Sequence, residues 1–264
     1  MTGAKNRIKK GGNTMKNILT GCLMVLFLAG FLAGCGGGGD DDLLPSLTDD
    51  TAPTVQSTVP ADGATDVATN RKILATFDEA MIPDKITDAG TFTLTGPGGA
   101  VAGTVRYNVV NHIAIFTPSG DLTPGPHTAT ITTAARDVSN NALAAPKTWS
   151  FEVGVSDDIT RPEVTTTSPV DNATDVSTRT DINVTFNEVM DPETINITTF
   201  TLETSVGSVH VAGLVTCSGT TATFNPTIPL LPGIEYIARL TIEVADLAGN
   251  TLLIEKEWSF TTGT

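Results

Sequence analysis

Cysteine is scarce in this 264-residue chain: three occur, Cys22, Cys35 and Cys217. Two of them lie in the leading segment, so the remainder holds one thiol and cannot close an internal disulfide. No Cys pair at zinc spacing and no His-Glu-x-x-His is present, which removes the usual zinc arrangements. Gly-x-Ser-x-Gly and the phosphate loop are missing too, so no nucleophile-elbow or nucleotide motif supports an enzyme. Basic residues are few, 15 Lys and Arg against 29 Asp and Glu, for a formal net charge of −14. Five of them (Lys5, Arg7, Lys9, Lys10, Lys16) precede Cys35, where no acidic residue occurs. The rest of the chain is strongly acidic, and a nucleic-acid partner is excluded because phosphate backbones need clustered Lys and Arg. Aromatics make up only 5%. Apolar residues at 40% still suffice for a core,. The prominence of Thr, Val, Ala and Gly favours strands and turns. The length suits about two domains of roughly 100 residues each.

The leader has a recognisable plan. An apolar run from Ile18 to Phe31 follows Lys16 and closes on Leu32-Ala33-Gly34-Cys35. A basic start, an apolar stretch and small residues at its end are the parts of a secretory signal. The run is short for a membrane span. Its ending resembles the lipobox of bacterial lipoproteins. That resemblance implies a signal peptide over residues 1–34, cleavage before Cys35, and acyl chains on Cys35 that anchor the chain in a membrane. Gly36 after the cysteine resembles the outer-membrane sorting pattern of enteric bacteria. Met15-Lys16-Asn17 opens a normal signal, which makes Met15 a candidate start.

Residues 35–50, with Gly36-Gly37-Gly38-Gly39-Asp40-Asp41-Asp42, have little to bury and read as a flexible charged tether,. Beyond them the sequence repeats at an offset of 109, slipping to 108 in the middle. Ala64-Thr65-Asp66-Val67 recurs as Ala173-Thr174-Asp175-Val176. Thr76-Phe77-Asp78-Glu79-Ala80-Met81 recurs as Thr185-Phe186-Asn187-Glu188-Val189-Met190, and Trp149-Ser150-Phe151 as Trp258-Ser259-Phe260. A repeat this long is a duplicated domain, 51–155 and then 156–264. Short β-branched runs between turn signals predict seven strands per copy and an all-β sandwich. In the first copy they fall near 54–59, 71–77, 91–95, 100–107, 111–117, 127–134 and 147–153. In the second they fall near 163–167, 181–186, 199–203, 207–215, 221–225, 234–243 and 255–262. Phe77/Phe186, Phe116/Phe224 and Trp149/Trp258 are expected in the cores, and Met81 and Met190 under a loop. Gly63 and Asn172 are expected at left-handed turn positions.

These motifs, together with Pro-x-Val-x-x-x-x-Pro, Leu-x-Pro-Gly and Asp-x-x-x-Asn (Asp137 to Asn141, Asp246 to Asn250), resemble the bacterial Ig-like domain of the S-layer protein type. The resemblance covers about residues 51–264 in two tandem copies. It implies Ig-like β-sandwiches used as repeated modules in surface and secreted bacterial proteins. A structural or adhesive spacer at the cell envelope follows by analogy, with an envelope polysaccharide or a surface protein as partner.

Candidate chemistry is limited. Asp78-Glu79 becomes Asn187-Glu188, so only the glutamate is shared; a solvated or turn-capping role is expected for it. Calcium is the sharper hypothesis, because hard cations need several oxygen ligands. Acidic pairs enter both domains, Asp49-Asp50 the first and Asp157-Asp158 the second, while Asp137 and Asp246 lie in the Asp-x-x-x-Asn loops; a calcium at the junction would couple Asp157 or Asp158 to a neighbouring loop and stiffen a stalk. A carbohydrate-binding accessory module is the alternative, and Tyr107, His112, Tyr236 and the loop around Asp137 are its candidates. His112, His127 and His210 occupy non-equivalent positions and form no ligand pair. Cys217 is expected to be a small strand residue without reactivity.

Overall fold

A computed structural model describes residues 49–264. The signal peptide, the lipobox, Cys35 and most of the tether lie outside the described residues. Residues 47–264 form one compact unit. Every described strand finds its partners inside it, so this segment completes its own sheets and cores.

The first domain runs through β1 (Val55–Val59), β2 (Ile73–Phe77), the short helix α1 (Pro83–Thr87), β3 (Phe92–Gly96) and β4 (Gly99–Ala100). It continues through β5 (Gly103–Asn108), β6 (Ile113–Pro118), β7 (Gly125–Ile131) and β8 (Lys147–Val153). The second has β9 (Val164–Ser168), β10 (Ala173–Val176), β11 (Ile182–Phe186) and β12 (Phe200–Thr204). It ends with β13 (Gly213–Ser218), β14 (Thr221–Pro226), β15 (Glu235–Leu240) and β16 (Lys256–Thr262). The sheets β1-β2-β6-β5 and β4-β3-β7-β8 face each other across the first core. In the second copy β9-β11-β14-β13 faces β12-β15-β16-β10. Pairing is antiparallel except between β10 and β16.

Alternation decides what is inside, since successive strand residues point to opposite faces. On β2, Ile73, Ala75 and Phe77 enter the core. On β11, Ile182, Val184 and Phe186 do the same. The expected core aromatics are buried. Trp149 packs on Phe92 at 5.7 Å between ring centroids, and Trp258 on Phe200 at 6.0 Å. Such tilted pairs add to the area term of burial. Gly63 (φ 75°) and Asn172 (φ 61°) both take the left-handed conformation expected of them.

Three local expectations need correction. The strand expected at 207–215 begins at Gly213, because Gly207 (φ 81°) and Ser208 (φ 46°) turn the chain there. β10 is a strand where a turn is expected. Its counterpart in the first copy shrinks to a single bridge between Val67 and Val153. Helix α1 starts on Pro83, whose fixed φ and missing N–H suit a first helical position,. The equivalent segment of the second copy, Pro192 to Thr194, forms a turn rather than a helix, closed by the Thr194 N–H on the Asp191 carbonyl at 3.0 Å.

Candidate functional site: an acidic cluster at each domain entrance

The Asp-x-x-x-Asn loops build the two sites. Asp137 is fully buried, and its Oδ1 accepts from the Asn141 backbone N–H at 2.8 Å. Its Oδ2 accepts from Asn141 Nδ2, also at 2.8 Å. Asp246 repeats this with Asn250 at 2.8 Å for both bonds, and adds the Ala248 N–H at 2.8 Å. Each loop turns through one left-handed residue, Asn140 (φ 72°) or Gly249 (φ 90°), which such residues tolerate,. The asparagine then reaches the incoming chain: Asn141 Nδ2 donates to the Asp49 carbonyl at 2.8 Å, and Asn250 Nδ2 to the Asp158 carbonyl at 3.0 Å. The motif therefore fastens the strand that enters its own domain.

This fastening brings three carboxylates together twice. Asp49, Glu79 and Asp137 form one cluster, and Asp158, Glu188 and Asp246 form the other, with ligand-capable oxygens within 4.8 Å of one another in each. Burial, with the charges of Asp137, Asp49 and Asp78 behind it, raises the Glu79 carboxyl above its ordinary value. In the second cluster burial again leads, followed by the charges of Asp246 and Asp158, and Glu188 is pushed up to about 7 against the opposing pull of Arg71. Glu188 Oε1 is buried with no hydrogen-bond partner among the described residues. Carboxylates this close repel one another, and a shared proton or a cation would relieve that repulsion.

The sequence candidates are redistributed. Asp158 and Asp246 meet, but Asp137 belongs to the other cluster. Asp157 joins neither, because it points away and accepts from the Thr69 hydroxyl. The glutamates expected to be solvated or turn-capping, Glu79 and Glu188, complete the clusters, the first of which takes Asp49 from its entrance pair; the signal of the glutamates was that only they survive between the copies. The preceding Asp78 and Asn187 play the capping part, accepting the backbone N–H of Thr54 at 2.8 Å and of Glu163 at 2.7 Å. An acceptor oxygen is all that role needs, so Asp and Asn interchange.

The aromatic candidates for a sugar platform fare differently. Tyr236 is buried against Phe260, and its hydroxyl accepts from the Leu231 N–H at 2.8 Å, so it offers no exposed ring. Tyr107 is half-buried, packs against the first core and accepts from the Met81 N–H at 2.9 Å. His112 occupies a left-handed turn (φ 54°). His127 is buried on Phe151, whereas His210 is exposed beside Glu203. Cys217 lies in the core, where burial first and the Asp191 charge second push its thiol up to about 12. Met81 and Met190 are core residues under their loops. A groove of about 580 Å³ beside β3, β4 and β5 is lined by Phe92, Leu94, Val105 and Phe116, with Asp88 its only titratable residue. No described helix is long and apolar enough to cross a membrane.

Comparison with known proteins gives one family. The model of the bacterial Ig-like domain matches the chain twice, over residues 49–153 and 158–262. No curated protein matches. Among solved structures, PcoC, a methionine-rich copper resistance protein from Escherichia coli, is 21% identical; the match covers 39% of this chain and 99% of that one, with a TM-score of 0.33. The N-terminal part of the bacterial S-layer protein SbsC is 11% identical over 80% of this chain and 44% of that one, TM-score 0.32. An LD transpeptidase, LdtMt1 in complex with imipenem, is 14% identical over 59% and 62%, TM-score 0.29. None of these carries a residue role over to this chain.

Proposed function

The chain belongs to the bacterial Ig-like domain family, and from that premise we propose that it is a lipid-anchored envelope protein displaying two domains as a non-catalytic structural or adhesive spacer. The observation that carries this reading is what the two copies keep in common. They share their packed interiors and an entrance cluster that fastens the incoming chain. They share no exposed aromatic platform. The leader supports anchoring at Cys35 in the outer membrane, with the acidic tether holding the domains off the bilayer. The partner is an envelope polysaccharide or a surface protein. Growth with a labelled fatty acid tests the anchor: wild type takes up label and Cys35→Ala does not, whereas equal labelling overturns it. Binding of residues 47–264 to envelope polysaccharides and whole cells tests adhesion. Saturable binding supports an adhesive role, and its absence leaves the spacer alone.

A second reading is favoured by the unpaired Glu188 oxygen: the entrance clusters take calcium and stiffen the stalk. Each offers three carboxylates, and water completes the six to eight oxygens that calcium prefers. Calcium at a hundred times its dissociation constant would add about 2.7 kcal/mol to stability. Unfolding of residues 47–264 with millimolar calcium and with chelator tests this. A stabilisation lost in Glu188→Gln supports it, and identical curves overturn it.

A further inference from the structure

The outer face of the sheet β1-β2-β6-β5 is apolar and yet covered. Leu74, Ile113 and Ile115 point away from the first core, and none is more than 4% exposed. They form a separate cluster with Leu247 of the second domain, against which Val59 and Val189 also pack. Polar contacts surround this seam. The Lys72 backbone N–H donates to the Leu247 carbonyl at 3.1 Å. Lys72 Nζ lies 2.5 Å from Asp191 and 3.5 Å from Glu193. Asn108 Nδ2 donates to the Pro192 carbonyl at 3.1 Å, and Asn111 Oδ1 accepts from the Cys217 N–H at 2.9 Å. The connecting residues are held as well: Asn70 Nδ2 donates to the Asp158 carbonyl at 3.0 Å, and its Oδ1 accepts from the Asp158 N–H at 2.9 Å.

The same positions in the second copy carry none of this. Leu74, Ile113 and Ile115 correspond to Asn183, Thr221 and Thr223, and Lys72 corresponds to Asp181. Asn183, Thr221 and Thr223 are partly exposed, and Thr223 spends its hydroxyl on Asn183 at 2.7 Å. On the opposite side of the contact, Leu247 corresponds to Val138, which is 64% exposed.

We infer that the two domains dock as plug and socket, with the loop around Leu247 and Asp191 seated on the outer sheet face of the first domain. The pair is thus one rigid, directional unit, and its socket is used once. An aliphatic face left in water is unfavourable, and among the described residues Leu247 and Val189 of the second domain cover it. The hydroxyl-bearing face of the second domain offers no such socket, so stacking of this kind does not propagate past it. The inference supplies the mechanics of the spacer reading, but its test involves neither membrane nor ligand, and the two therefore fail separately.

Residual dipolar couplings on residues 47–264 decide it. Both domains are expected to share one alignment tensor. Leu247→Lys sets a charge against Leu74 and Ile115 beside Lys72, and should split the data into two tensors while resonances remote from the seam stay in place. Val138→Lys, at the equivalent exposed position, should leave one tensor. Should Leu247→Lys fail to fold, the milder pair Leu247→Ala with Lys72→Met takes its place and should also separate the tensors. Two tensors in the unmodified protein, or one tensor in every folded seam variant, overturns the inference.

Discussion

Residue for residue, the interior of the first domain is repeated in the second: Phe77, Phe116 and Trp149 answer to Phe186, Phe224 and Trp258, and all six are buried. The outer face of one sheet breaks the repeat, with Leu74, Ile113 and Ile115 replaced by Asn183, Thr221 and Thr223. The entrance clusters sit between these extremes. Their carboxylates are kept in both copies, but Asp49 is exposed while Asp158 is half-buried at the junction. Duplication preserved what the sandwich needs, and the neighbour of each face decided the rest. Glu188 is pushed to about 7, and its junction with the first domain brings both burial and Arg71 to the cluster.

This comparison can be broken at its strongest point first. Trp149→Ala and Trp258→Ala should each cost about 3–5 kcal/mol, measured by denaturant unfolding of residues 47–264. A loss below about 1 kcal/mol for either would end the equivalence of the two cores. The outer face should divide the copies instead. Ile115→Ala is expected to cost about 2–5 kcal/mol as a buried aliphatic truncation, and Thr223→Ala about 1 kcal/mol or less. Equal losses would mean that the second domain does not cover the first.

A smaller effect separates Tyr236 from its counterpart His127. Tyr236→Phe leaves the Leu231 N–H without its acceptor and should cost about 1–3 kcal/mol, visible in the same unfolding assay. The smallest effect is a slope. The Glu188 carboxyl is raised from an ordinary 4.5 to about 7 in the folded protein. A folded-state value above the unfolded one means that its contribution is full below pH about 4.5 and is lost as pH rises through about 7. With chelator present, the melting temperature of wild type should fall across that window more steeply than that of Glu188→Gln. Glu79→Gln should change the slope in the same direction, since Glu79 is raised by the same kind of cause. Superimposed wild-type and Glu188→Gln profiles would refute this.

Much of the architecture was legible in the residues. The offset repeat located both domains, alternation chose the core aromatics, and Gly63 and Asn172 marked their turns. The Gly207-Ser208 turn was hidden among the strand-favouring Val206, Val209 and Val211, and β10 depends on a parallel partner more than eighty residues away. Most of the site could be read: Asp49, Asp137, Asp158 and Asp246 stood out by motif and position. Glu79 and Glu188 looked like surface residues, because nothing local shows that their strand ends beneath the other loop. Asp157 looked equivalent to Asp158, yet its carboxylate accepts from the distant Thr69 hydroxyl instead.

The sequence by itself determined the duplication, the all-β class, the interior of each copy and the acidic balance. These follow from periodicity and composition, which act over a few residues at a time. The tertiary structure alone decided which carboxylates meet, that Tyr236 is core rather than platform, and that one copy's outer face is a socket. Each of those depends on segments distant in the chain being brought within a few ångströms, where charge, burial and shape act between residues that no local pattern pairs.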